Sequence, residues 1–374
     1  MPAPARFDVD VRVTRDLRHA PYLLDGLAEL EDGGEVRLKL SPRWPRRHDR
    51  VVLGPDGPRR VARPYPWSLD LAITDHGTGR RTKVSVDLQD WRDMYSATSL
   101  AASDVILKRM CTRPEVDQVE AAYGVSVRPA GITASGDASR WSSPWSMRVA
   151  ALFGQVESVL DAPRDVLGRR RARRRYEAVQ EHEATASRLP DLPEDYVLYQ
   201  VVHQPWLGRP AADRMNEARI ELVRALREEL GTRFVGGMTF PGEVPAGWED
   251  CRSELFSSRE VYLDLVRGAA VVVASNGFGG SPPWKLAEYL ELGCCIVAEP
   301  PEVVLPQPLE HGVHAWLADS AQEVARACRH LVDAPDERAG LRQGAATYHR
   351  DQVSPAALAR RVLDAGAEVA PCPA

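Results

Sequence analysis

Lysine is scarce in this chain. Only Lys39, Lys83, Lys108 and Lys285 stand against forty-four arginines, so each lysine becomes a position to examine for chemistry. Excess charge is scarce too: the formal net charge is −5 over 374 residues, which argues against a protein built to coat nucleic acid. No apolar run approaches the roughly 20 residues that a membrane-spanning helix needs. The six cysteines, Cys111, Cys251, Cys294, Cys295, Cys328 and Cys372, include no CxxC pair and no histidines at zinc spacing. Adjacent Cys294 and Cys295 fall in an apolar run and read as small buried residues. The opening MPAPARFDVDVRV has neither the cationic nor the apolar region of a secretory signal. These absences give the expectation of a reduced, cytoplasmic protein. No internal repeat of fixed period is visible.

What is present is enough apolar material, 44% of residues, for two cores. FDVDVRV (7–13), EVRLKL (35–40), LDLAIT (69–74) and KVSVDLQD (83–90) read as strands, and YLLDGLAELED as a helix between the first two. The Pro-, Arg- and Gly-rich stretch 41–66 reads as loops. SLAASDVILKRM (99–110) reads as a strand or short helix ending in Lys108 and Arg109. Repeated strand, turn and helix imply a parallel α/β sheet. Residues 147–189 read as a charged helical stretch with the arginine run Arg169–Arg175, a solvated helix between domains or a nucleic-acid or anionic-membrane patch. A second series starts at YVLYQVVHQ (196–204) and continues with the amphipathic AADRMNEARIELVRALREEL (211–230), RFVGG (233–237) and REVYLDLVRGA (259–269). The expected organisation is a domain over 1–190 with a helical linker, a second over 191–352, and a helix and tail over 353–374 returning toward the first.

The densest chemistry lies in AAVVVASNGFGG (269–280) followed by SPPWKLAEYLELGCCIVAEPP (281–301). A β-branched run enters a glycine-rich turn and then a helix closed by Gly293. Backbone N–H groups at such a helix start point into the crevice at the carboxyl ends of the strands, where anions bind. Gly277, Gly279 and Gly280 permit close approach of a ligand. Lys285 adds a full positive charge in the first turn, and Glu288, three residues on, shares its face. A phosphate site beside a carboxylate that can accept two vicinal hydroxyls suits a nucleoside diphosphate with its ribose. An ordinary lysine–glutamate surface pair is the alternative.

NGFGGSPPWKLAEYLELGCCIVAE resembles the carboxyl-terminal signature of GT-B glycosyltransferases of the group-1, family-4-like type, and HGVHAWLADSAQEVARACRHLVDAPDERAGLRQGA resembles its continuation. The resemblance is specific over about 235–350. It implies an α/β fold of the GT-B kind, two Rossmann-like domains facing a central cleft, with the donor bound by the second. It gives Glu288 the ribose-binding role and places Gly279, Gly280 and Ser281 against the diphosphate and donor sugar. The family usually carries another glutamate eight residues before the first, where this chain has Gly280; Lys285 would then carry part of the anion-binding load. Arg209, beside Gly208, matches the basic residue expected after the first donor-domain strand, and Gly236 and Gly237 would border the nucleotide.

In the first half, Asp16, Arg18 and His19 follow the first strand and are acceptor-side candidates, with His19 a general base at neutral pH. Asp87 and Asp90 are further candidate bases, or helix caps. Lys108 and Arg109 would meet an anionic acceptor. VDLQD spaces its carboxylates poorly for a metal, so metal-independent catalysis is expected, with no cofactor beyond a nucleotide sugar as co-substrate. The leading expectation is a glycosyltransferase acting on a GDP- or UDP-sugar and a small-molecule or glycan acceptor. A sugar-nucleotide epimerase of the same fold and a nucleic-acid-binding protein using Arg169–Arg175 are the alternatives. Homodimerisation is left open.

Overall fold

The computed structural model describes residues 5–13, 20–42, 49–64, 68–134, 141, 148–149, 192–204, 210–253, 255 and 259–368. The boundary expected near residue 190 and the arginine run at 169–175 lie outside the described residues. The chain divides into two compact units, the first made of Met1–Val166, Val303–Pro308 and Asp351–Ala374, the second of Leu167–Glu302 and Leu309–Arg350.

The first unit contains β1 (Phe7–Val13), α1 (Ala20–Asp32), β2 (Val36–Pro42), β3 (Asp49–Val52), β4 (Arg59–Pro64), β5 (Leu69–Asp75), β6 (Arg80–Asp87), β7 (Met94–Ser96), α2 (Ala97–Ala102), β8 (Val105–Lys108), α3 (Arg113–Tyr123) and β9 (Ser126–Pro129). Its main sheet has the order β2-β1-β5-β6-β8-β9. The purely parallel sheet expected from the sequence is corrected here, because β5 runs antiparallel to both β1 and β6. The cause is local. Asp75–Arg80 closes a tight hairpin in which Gly79 N donates to Asp75 O at 2.8 Å and Gly77 N to the Asp75 carboxylate at 2.8 Å. The stretch 41–66 is not all loop either: β3 and β4 form a second hairpin across Gly54–Gly57, and β7 extends it to three antiparallel strands. Val51, Val52 and Val61 supply β-propensity between the arginines.

Residues 355–368 form a helix that covers α1 and β6 in this unit. Contact is backbone to backbone: a Cβ on Gly26 of α1 would stand 1.9 Å from Pro355 O. Thr82 Oγ1 donates to Gly366 O at 2.8 Å, and Tyr22 OH to Val353 O at 2.7 Å. Val304 N donates to Cys111 O at 2.9 Å, fixing the excursion 303–308.

In the second unit the order of elements is β10 (Val197–Val202), α4 (Pro210–Leu230), β11 (Phe234–Thr239), α5 (Arg259–Gly268), β12 (Val271–Ala274), α6 (Trp284–Glu291), β13 (Ile296–Ala298), β14 (Trp316–Leu317), α7 (Ala321–Val332) and α8 (Pro335–Tyr348); the helix at Pro355–Glu368 in the first unit is α9. The sheet order is β11-β10-β12-β13-β14 and every pairing is parallel. Helices on its faces bury the strands on both sides, which is why β10 and β12 read as near-continuous apolar runs. The core joins Val197, Tyr199, Val271 and Val297 to Val223 and Leu226 of α4 and to Leu331 of α7. The chain leaves β10 for β11 on one side and returns to β12 on the other, so strand order reverses between β10 and β12. In open α/β sheets the crevice at such a reversal is where ligands bind.

Candidate active site

That reversal is also a physical split in the sheet. β12 pairs with β10 only at Val197–Val271 and Leu198–Val272, whereas β10 runs on beside β11 to Val202. Ala270 N bonds Tyr196 O, so the even-numbered residues of β10 face β12; His203 N bonds Thr239 O, so the odd-numbered ones face β11. Beyond the split, the Gln200 and Val202 carbonyls have therefore lost their strand partner. Two cationic side chains take its place. Lys285 Nζ, from α6, donates to Gln200 O, and Arg219 Nη1, from α4, donates to Val202 O at 3.1 Å.

Lys285 is half-buried, with its ammonium 4.4 Å from the centre of the Tyr262 ring. Burial pushes its pKa down to about 8; Glu288 opposes the shift and Arg219 adds to it. Glu288 is 8% exposed and holds Arg259 of α5 at 2.9 Å. Lys285 and Glu288 are thus not the simple surface pair that their spacing allows, since each has its own partner.

The glycine loop leaves β12 through Ser275, whose hydroxyl bonds Tyr199 OH at 2.7 Å. Asn276 N donates to the Glu299 carboxylate at 2.7 Å, and Asn276 Nδ2 to Pro300 O at 2.9 Å. Burial raises the Glu299 pKa, while Asn276 N and Arg219 lower it and Glu302 raises it further. Gly279 and Gly280 have φ of 66° and 77°. At Gly280 the absence of a side chain is also a matter of space: a Cβ there would lie 2.3 Å from the Glu302 carboxylate. Ser281 is buried, with its hydroxyl against Gly277. Gly237 (φ 132°) packs its α-carbon against Cys251 O and Ser253 N, and Gly236 (φ 122°) against Tyr199 O.

The structure brings Lys285, Glu288, Gly279, Gly280 and Ser281 into one loop–helix segment at the carboxyl end of the sheet. Arg209 lies outside the described residues, as do Asp16, Arg18 and His19. Asp87, Asp90, Lys108 and Arg109 cluster at the carboxyl ends of β6 and β8 in the first unit. Lys108 is fully buried, bonded to Asp87 at 2.9 Å and to Met94 O at 2.8 Å, beneath the Tyr95 ring. Arg109 is buried and pairs with Asp90, whose side chain is 45% exposed. Lys108 and Asp87 thus face each other rather than water. Arg219 and Arg259 were not singled out from the sequence. Arg219 carried a signal nonetheless, for it falls in the buried stripe of α4, between Ala212 and Met215 on one side and Val223 and Leu226 on the other.

Residues 217–364, less than half of the chain, match the family model described as glycosyl transferase-like. Over that segment the chain is similar to group-1-type glycosyl transferases. Among solved structures, HepE from Anabaena in complex with UDP-glucose is similar at 15% identity over 46% of this chain and 48% of that one, with a TM-score of 0.32. The C-terminal domain of a glycosyl transferase group 1 family protein, LpcC from Francisella tularensis, is similar at 13% identity over 42% and 85%, TM-score 0.29. A UDP-N-acetylglucosamine 2-epimerase described as such from Listeria monocytogenes gives 11% over 70% and 59%, TM-score 0.33. The match spans about half the length of HepE, at 48%. No curated protein matches. Among the described residues, no helix is long and apolar enough to cross a membrane.

Proposed function

We infer that the chain is a glycosyltransferase of GT-B type that moves a sugar from a nucleotide-diphosphate donor to an acceptor hydroxyl. The observation that carries this reading is the placement of Lys285 at the β10/β12 split, on the helix entered from the glycine loop and bearing Glu288. Lys285 would engage the diphosphate as a point charge, and the second oxygen of Glu288 would accept from the ribose hydroxyls. Backbone N–H groups of Gly279 and Ser281 would face the phosphoryl oxygens, while that of Gly280 closes the loop onto Gly277 O at 3.2 Å. As the glycosidic bond to the donor phosphate breaks, negative charge grows on the departing diphosphate. Cations and N–H dipoles held in place stabilise that charge more than they stabilise the ground state. On the acceptor side Asp90 is the carboxylate best placed to meet a hydroxyl, because it stays half-exposed beside Arg109 whereas Asp87 is buried against Lys108. His19 remains a candidate base from its position after β1, and Arg209 a candidate phosphate contact.

A thermal-shift panel of UDP- and GDP-sugars tests donor binding, since a ligand that binds only the folded chain raises its melting temperature. Release of UDP or GDP on adding acceptor mixtures tests transfer. Binding by none of these nucleotides would remove the reading. Interconversion of the donor sugar without transfer would make the chain an epimerase.

A further inference from the structure

Arg219 is 7% exposed and sits on the apolar face of α4. Of its five N–H donors, one from Nη1 meets Val202 O at 3.1 Å, while Nε is enclosed without a partner. Among the described residues no carboxylate forms a salt bridge with it; Glu299 is near enough to influence it but not to pair. An arginine cannot shed its proton to escape this situation. A buried guanidinium without a counter-ion is costly, and fixing one strand carbonyl needs only a neutral donor. The position adds the second half of the argument. Arg219 and Lys285 cap carbonyls two residues apart on the same open edge of β10, about 7 Å along a strand. Two cations so spaced suit two linked phosphoryl groups better than one.

We propose that Arg219 is a phosphate-binding residue, the partner of Lys285 at the β10/β12 split, and that the missing counter-ion is the diphosphate of a nucleotide ligand. This rests on the reading of the site as a nucleotide-diphosphate site and adds to it which buried side chain selects diphosphate over monophosphate. When the ligand is bound, the guanidinium keeps its contact with Val202 O and turns its remaining donors to phosphoryl oxygens.

Calorimetric titration of the full chain with UDP, UMP and uridine, repeated with the guanosine series, tests this in wild type, Arg219→Lys and Arg219→Gln. Arg219→Gln should lower diphosphate affinity by roughly tenfold or more, leave nucleoside affinity unchanged, and collapse the preference for UDP over UMP. Arg219→Lys should recover part of the loss. Unchanged UDP affinity, or equal losses for UDP and uridine, would show a purely structural arginine and overturn the proposal. If wild type binds no nucleotide, the functional reading fails, and Arg219 is then judged with inorganic pyrophosphate. Binding by wild type but not by Arg219→Gln upholds the anion site, and no binding by wild type ends it. Should Arg219→Gln fail to fold, the arginine Nε–H resonances of 15N-labelled wild type are followed during pyrophosphate titration. The resonance that disappears in Arg219→Lys must shift, and its constancy would overturn the proposal.

Discussion

Lys285 pays for its position between a strand carbonyl and an aromatic face with a pKa of about 8. In the unfolded chain a lysine titrates near 10.4. The penalty for burying the charge is therefore fully present below about pH 8 and is relieved as pH rises from there toward 10.4. Relative to Lys285→Arg, the ligand-free protein should gain stability across that window in pH-dependent melts. Diphosphate affinity should move the other way, falling as pH rises from 7 to 9, because the ligand needs the charged form while its own phosphate is already ionised. Lys285→Arg should flatten that affinity profile, and a wild-type profile equally flat would take Lys285 out of the diphosphate contact. For Glu288, replacement by Ala should lower nucleotide-sugar affinity about tenfold or more, the value of a charge-assisted hydrogen bond of roughly 1.5–3 kcal/mol. Titration of a folded Glu288→Ala protein that retained wild-type affinity would contradict the ribose role. The arginine that binds Glu288 could not be read from the sequence, since Arg259 lies twenty-nine residues away on another helix.

The glycine loop separates two costs that are usually confounded. Gly279 and Gly280 have similar positive φ, but a Cβ meets nothing within 4 Å at the first and the Glu302 side chain at the second. Gly279→Ala should cost about 1 kcal/mol, the strain of a left-handed residue alone. Gly280→Ala should cost clearly more, and Gly280→Ala with Glu302→Gly should return most of the difference in chemical denaturation. Equal costs at the two glycines would mean that Glu302 moves aside freely. How far such elements were legible depended on the range of the forces that form them. The series β10–α4–β11 and β12–loop–α6–β13 announced itself through apolar period and glycine placement, both local. The reversed direction of β5 depends on which neighbours it pairs with, and the β3–β4 hairpin hides its valines among Arg, Pro and Gly. The split after Leu198, beyond which Lys285 and Arg219 cap the β10 carbonyls, is a property of two strands diverging and leaves no mark on either sequence.

At the scale of the whole molecule, the first unit is made of three chain segments, and its sheet is covered by α9. Gly26→Ala should force α9 away from α1, because the new Cβ would stand 1.9 Å from Pro355 O; overpacking of this kind costs roughly 1–3 kcal/mol. Hydrogen exchange should then show α9 and α1 opening together while α4 and β10 keep their protection. Uniform loss in both units would mean that they unfold as one. This interleaving also bears on synthesis at the ribosome. Chains usually complete their first-made domain first, but here α1 and β6 must wait, with an apolar face uncovered, until all of the second unit has been translated and residues 355–368 emerge. The later-made unit is the one that can finish early, and the earlier-made one is the natural client for a chaperone during that interval.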